Sequence, residues 1–393
     1  MSVADTIAWA KPEDVGMSRD RLARLSDAIA RDVEAGRYPG AVTLVARRGR
    51  VVHFKAHGRR DPAGDGPMER DAIFRIYSMT KPIVTVAAMM LVEEGRLALA
   101  DPVSRFVPGF ADVRTWTPDG VGRAPTRAPT VHDLLRHTSG LTYDWIDDGP
   151  VQRLYAERES GRRSRSNAEQ AALLATLPLL ADPGTGWQYS RSTDILGRIV
   201  EILDGRSLGE ALRLRVFEPL GMLETAFHVP PEFAGRMAEP FAADPGTGEA
   251  IQLLDVGASV AMENGGGGLA STAPDYARFL HMLASGGALD GTRLLSPATL
   301  RWMTADHLGP IPIGSDLLPA GYTFGLGFAV RREDGLAAMA GRAGDFFWEG
   351  LGGTSFWVDP AEELYGLAML QAPGERERVR ILMRQLVYGA LVD

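Results

Sequence analysis

Ser78-Met79-Thr80-Lys81 sets a hydroxyl and an amine three residues apart. On a helix such residues share one face, so the lysine can hydrogen-bond the serine and either take its proton or hold another base. Serine at its free pKa is a poor nucleophile and needs that help. A helix starting here adds free backbone N–H groups, and the Ser78 N–H can point at a developing oxyanion. Arginine could not serve, because it does not give up its proton. The chain has 42 basic residues but only three lysines, Lys11, Lys55 and Lys81, so a lysine at a chemically loaded position stands out. The spacing alone is a short motif, and a helix start with Ser78 as cap and Lys81 in solvent reads it equally well.

The surrounding elements must place this pair. Residues 78–94 read as a helix closed by Gly95, and Pro82 is tolerated only near its start. Residues 19–36 carry Leu22, Leu25, Ala28, Ile29 and Val33 at helical spacing, with Gly36 as a stop. Residues 41–58 read as two strands joined at Arg48-Gly49. From about 100 to 260 the chain alternates helical pieces with Pro- and Gly-rich loops, and the polar stretch 157–167 reads as an exposed loop. A helix begins near 273 and ends at Gly286-Gly287. Strands follow after 320 (YTFGLGFAVRR, TSFWVDP, LYGLAMLQ), and a helix at 375–391 closes the chain.

Strand-forming sequence thus lies toward both ends with helices between. The economical fold is α/β of the α+β kind: an antiparallel sheet built from both chain ends, flanked by the first and last helices, with a mainly helical region inserted. The expected division is a discontinuous sheet domain, 1–82 and 265–393, and a helical domain, 83–264. A cleft between the two is the expected place for a site.

Composition bounds the chemistry. The net charge is −8 with no long basic run, which argues against nucleic acid as a partner. Without cysteine there is no disulfide, thiolate nucleophile or Cys-based zinc site. No apolar run is long enough to span a bilayer, and charged residues break up positions 1–20, leaving no apolar core of signal-peptide length. A cytoplasmic protein that does not bind membranes is the expectation.

Two further segments give the Ser-x-x-Lys pair a setting. Trp187-Gln188-Tyr189-Ser190 follows a loop, ADPGTG, and precedes a helical stretch, while Trp348-Glu349-Gly350-Leu351-Gly352-Gly353-Thr354 leads into a strand. With FRIYSMTKPIVTVAAMMLVEEG, LLRHTSGLTY, NGGGGLASTAPDYARF and GGTSFWVDP, the sequence resembles the serine β-lactamase and penicillin-recognising superfamily. Within it the resemblance is to the class C-like esterase branch, the family VIII carboxylesterases. It runs in the family's order from about residue 40 to 360.

The resemblance implies a β-lactamase-like fold and acylation of Ser78, with Lys81 keeping the proton network poised. It implies that Tyr189 is a general base or a proton shuttle with the lysine. A phenol titrates near 10, so a phenolate would need the Lys81 ammonium close by. The oxyanion hole it implies is the Ser78 N–H plus one from the edge strand, Leu351 or alternatively Gly350, with Trp348 in the substrate pocket. No metal or organic cofactor is implied.

Two departures bear on substrate. Trp348-Glu349-Gly350 stands where lactamases and peptidases carry Lys-Thr-Gly; the lysine that faces a substrate carboxylate is lost and Glu349 would repel one. In Tyr189-Ser190-Arg191, arginine replaces the asparagine that contacts a lactam amide. Both point to a serine carboxylesterase acting on small uncharged, short-chain acyl esters. The alternatives are a β-lactamase or D-alanyl peptidase of the same superfamily, and a catalytically silent binding module on this scaffold.

Other motifs carry less. Gly205-Arg206-Ser207-Leu208-Gly209 matches G-x-S-x-G, but a helix precedes it where that motif needs a strand; Ser207 and Glu210 read as a capping box. Gly265–Gly268 lacks the ending of a phosphate loop and reads as a close backbone turn near the cleft. His132 and His137 show no zinc-partner pattern. The tryptophans and Tyr143 near the cleft are candidates to line an acyl pocket, but most read as core or rim, and only Trp348 is singled out.

Overall fold

The computed structural model describes residues 7–393. The start of the N-terminal stretch in which no leader is expected, residues 1–6, lies outside them. The helix Arg19–Glu34 begins at Ser18, whose hydroxyl accepts from the Arg21 N–H, and buries Leu22, Leu25 and Ile29. β1 (Gly40–Arg47) and β2 (Arg50–Gly58) follow. Their turn, Arg48-Gly49, has φ of 50° and 72°, the twist a two-residue hairpin demands.

β3 (Ile73–Arg75) pairs antiparallel with β4 (Ala270–Thr272). β5 (Ala288–Leu289) and β6 (Thr292–Arg293) form a small hairpin. The large sheet is completed by β7 (Tyr322–Phe324), β8 (Ala329–Arg331), β9 (Phe346–Glu349), β10 (Ser355–Asp359) and β11 (Leu364–Leu370), in the order β2-β1-β11-β10-β9-β8-β7. All its pairings are antiparallel. Every residue of β1 and β11 is buried, as central strands covered on both faces require. The terminal helices Arg19–Glu34 and Arg376–Tyr388 pack on each other and on the sheet, and the helix Ala273–Ala284 packs on β1, β10 and β11.

The chain therefore has the expected β-lactamase-like architecture. The stretch YTFGLGFAVRR differs in detail: it is not one strand but two, β7 and β8, reversed at Gly325–Phe328. Gly327 there has φ of 83°, and a Cβ on it would lie 2.5 Å from Thr85 Oγ1, so the bend is set by close approach to the helix Thr80–Glu93. The stretch 157–167 is mostly exposed, but Ser160 within it is fully buried. All strands of the large sheet lie in 40–58 and 322–370. On that distribution we propose the division 1–82 with 265–393 and 83–264, although one apolar core runs through both parts. Among the described residues no helix is long and apolar enough to cross a membrane.

Candidate active site

The β3–β4 pair ends just before Ser78 and begins just after the 265–268 glycine turn, so it sets the turn against the Ser78 segment. Ser78 lies in a 3₁₀ turn, Tyr77–Met79, that runs into the helix Thr80–Glu93. Pro82 falls in that helix's first turn, where its missing N–H costs nothing. Tyr77 takes φ of 44°, a strained value for a bulky residue. Its hydroxyl accepts from the Leu254 N–H at 2.7 Å, which pins the residue before the serine.

Lys81 is 1% exposed. Its Nζ lies 2.6 Å from the Gly266 carbonyl, 3.0 Å from Tyr143 Oη and 3.3 Å from Ser78 Oγ. Burial pulls its pKa down from 10.5 to about 7, with the Asp194 carboxylate opposing and Arg191 assisting. A neutral amine has two N–H bonds and one lone pair. When neutral, Lys81 can donate its two hydrogens to Gly266 and Tyr143 and leave the lone pair for the Ser78 hydroxyl. The glycine at 266 is required: a Cβ there would lie 2.7 Å from Asp194 Oδ1 and 2.9 Å from Tyr143 Oη. Asp194 Oδ1 in turn accepts from the Gly266 N–H at 2.8 Å.

Tyr189 is 4% exposed, and its ring lies 4.4 Å below Lys81 Nζ. Burial raises its pKa well above 10, with hydrogen bonds from Ser78 and Trp348 opposing. Trp348 Nε1 donates to the hydroxyl at 3.3 Å. Lys81 meets the face of the phenol and not its oxygen, so the arrangement favours a protonated Tyr189 and a deprotonated Lys81. Behind Tyr189, Ser190 Oγ contacts His137 Nδ1 at 3.2 Å and Ser192 Oγ at 2.8 Å, and the His137 ring packs 5.0 Å from that of Tyr189. These contacts hold the loop that delivers the phenol.

The strand carrying Trp348 is not the edge of the sheet, since β8 and β7 lie outside it. Of β9, only Phe346 and Phe347 pair with β8, so the end from Trp348 onward has no outer neighbour. The Gly350 N–H donates to the Thr354 carbonyl at 2.7 Å. Among the described residues neither the Leu351 N–H nor the Ser78 N–H has an acceptor. A Cβ at Gly350 would lie 2.4 Å from the Ile76 carbonyl, so this turn can close on the Ser78 segment only through glycine.

Ser78, Tyr189, Trp348 and Leu351 line one small pocket of about 80 Å³, together with Trp145, Leu317, Phe347, Glu349 and Arg376. A larger cavity, about 860 Å³, lies among the helices and includes Val107, Trp116, Ala171 and Arg198. It shares no residue with the Ser78 pocket and holds no nucleophile–base pair, so size does not locate the chemistry.

Sequence reasoning left Tyr143 as pocket lining, core or rim; it is buried and a direct partner of Lys81, and its place in LLRHTSGLTY was the available signal. Gly266 was read as a turn, without its role as acceptor. Arg191 does not face the pocket: it is 4% exposed and bound to Asp144 at 2.7 Å, Asp194 at 3.4 Å and Ser160 Oγ at 3.1 Å. Glu349 differs from expectation. Its carboxylate is held by Arg380 at 2.6 Å and approached by Arg376 at 3.6 Å, so it does not stand as a bare repelling charge.

The motifs set aside have structural partners. Ser207 caps the helix Leu208–Leu212 by accepting from the Glu210 N–H, but the box is half formed. Glu263, not Glu210, completes the cap, accepting from the Gly209 N–H at 2.7 Å and from Ser207 Oγ at 3.3 Å. His132 Nε2 meets His307 Nδ1 at 2.9 Å.

The sequence model described as Beta-lactamase matches residues 25–389. The chain belongs to the β-lactamase family. It is 34% identical to Esterase EstB of Burkholderia gladioli, over 93% of this chain and 95% of that one. It is 31% identical to the lovastatin esterase of Penicillium rubens, over 71% of each. Among solved structures it is similar to EstCE1, described as a hydrolase with promiscuous acyltransferase activity, with a TM-score of 0.77 and 30% identity over 94% of this chain and 99% of that one.

Proposed function

We propose that this β-lactamase-family protein is a serine carboxylesterase that cleaves small, short-chain acyl esters through an acyl-Ser78 intermediate. The observation that carries the reading is Lys81: buried, shifted toward neutrality and within reach of the Ser78 hydroxyl. The esterase relatives support the same class.

Lys81 takes the Ser78 proton as Oγ attacks the ester carbonyl carbon. The Ser78 and Leu351 N–H groups receive the oxyanion. Tyr189 gives its proton to the departing alkoxide, and the Lys81 ammonium 4.4 Å from its ring balances the phenolate left behind, so the acyl-enzyme and the alcohol form with no net change in protons. Water then attacks the acyl carbon and gives a proton to the same network, releasing the acid and restoring Ser78. No metal or organic cofactor enters these steps. A pocket of about 80 Å³, far below the roughly 300–1,000 Å³ of typical ligand clefts, suits a short acyl chain.

Lactam cleavage is the weaker reading. Arg191 is committed to Asp144 and Asp194, and Trp348 and Glu349 replace the family's lysine and threonine. Turnover of para-nitrophenyl butyrate against a chromogenic cephalosporin by purified protein, with Ser78→Ala as control, tests the proposal. Ester cleavage that greatly exceeds cephalosporin cleavage and disappears in Ser78→Ala is expected. The reverse preference would make it a lactamase, and loss of neither activity in Ser78→Ala would remove Ser78 from the chemistry.

A further inference from the structure

We propose that the Ser78 pocket selects esters that carry a carboxylate, which Arg376 receives at the pocket wall. The proposal rests on the esterase reading and names its substrate class. Among the described residues lining the pocket, Arg376 is the one cation and Glu349 the one anion.

Their charges do not simply cancel. Glu349 Oε2 is taken by Arg380 at 2.6 Å, and the Arg380 side chain is 8% exposed with its guanidinium 5.2 Å over the Phe347 ring. That pair is the close one. Arg376 Nε stands 3.6 Å from Glu349 Oε1, too far for a good hydrogen bond, and no other ion-pair partner of Arg376 is found among the described residues. Its side chain is 30% exposed, so the rest of its fork remains open to a ligand. Glu377 lies 3.8 Å from Arg380 and is 73% exposed, out in solvent where its field is screened.

Two arginines therefore face one well-held carboxylate, and the surplus cation lines the pocket. Arg376 is also the first residue of the helix Arg376–Tyr388, whose N-terminal end adds potential of the same sign. A planar guanidinium with free N–H groups is suited to a carboxylate. The remaining wall, Trp145, Leu317, Phe347, Trp348 and Leu351, is apolar and accepts the body of such a substrate. The sequence argument from Glu349 pointed to uncharged esters; its pairing with Arg380 removes that objection.

The test compares matched esters at low salt: mono-para-nitrophenyl adipate against para-nitrophenyl hexanoate for an acyl-side anion, and para-acetoxybenzoate against its methyl ester for an alcohol-side anion. In Arg376→Gln the ratio of kcat/KM, anionic over neutral, should fall about fivefold or more in at least one pair. Arg376→Lys should recover part of it, and Glu349→Gln should raise it. Added salt should lower the wild-type ratio. A ratio unchanged by Arg376→Gln in both pairs overturns the anion site while leaving the esterase reading intact. Failure of a fluorophosphonate to label Ser78 of the wild-type protein overturns both.

Discussion

Lys81 donates to the carbonyl of Gly266 across 2.6 Å, a shorter contact than its 3.3 Å to Ser78. The lysine is thus held first by the glycine turn and only then presented to the serine. Gly266→Ala would push its new methyl against Asp194 and Tyr143. We expect about 1–3 kcal/mol of destabilisation from overpacking and a larger fractional loss of kcat than of binding. Chemical denaturation beside steady-state kinetics measures both.

Replacing Lys81 itself should leave binding and remove chemistry. Lys81→Met is expected to lower kcat by on the order of 10²–10⁴-fold, the range of a lost general base. Lys81→Arg should not rescue it, because a guanidinium stays protonated. A rescue by arginine would show that charge alone, not proton transfer, is what the position supplies.

The pH dependence has a definite sign. With Lys81 shifted down to about 7 by burial, kcat/KM should rise with pH and level off above a midpoint near 7. Stability follows the same proton. Between about 7 and 10.5 the unfolded chain binds it and the fold does not, so this group's contribution to stability rises with pH across that window. Below 7 the fold bears the full cost of a buried ammonium. Lys81→Met lacks this term, so its Tm relative to wild type should decline as pH climbs from 7 to 10.

Arg191 provides a test of the departure from the lactamases. Arg191→Asn restores their residue type but leaves Asp144 and Asp194 without their shared cation. We expect a loss of about 3–5 kcal/mol, the cost of breaking a buried pair, and no gain in cephalosporin turnover. Urea unfolding and a chromogenic cephalosporin assay decide the point.

Trp348→Phe keeps an aromatic wall and removes the indole N–H that reaches Tyr189. One lost hydrogen bond of ordinary strength, about 0.5–1.5 kcal/mol, predicts a fall in kcat of a few-fold to about tenfold. Tyr189→Phe should cost far more, because it removes the proton that leaves with the alcohol. Equal effects of the two variants would argue that Tyr189 only packs.

Local order was largely legible in the sequence. The helical spacing from Leu22 to Val33, the Gly36 stop and the Arg48-Gly49 hairpin mark their elements through nearest-neighbour chemistry. The Ser78–Lys81 face follows from helical spacing alone. What was hidden was long-range: the Gly266 carbonyl at Lys81, the Tyr143 hydroxyl and the Arg380–Glu349 pair join positions 185, 62 and 31 residues apart. No local periodicity encodes such contacts. Glu349 was misread for that reason, since its charge was visible and its partner on the last helix was not. The half-formed cap at Ser207 is the same case, with Glu263 arriving from 56 residues away.

Mass spectrometry of the protein after reaction with a fluorophosphonate tests the central assignment most directly. One adduct per chain, located on Ser78 and absent from Ser78→Ala, is the predicted result. Stoichiometric labelling of any other residue, or none in a protein that still cleaves esters, would contradict it.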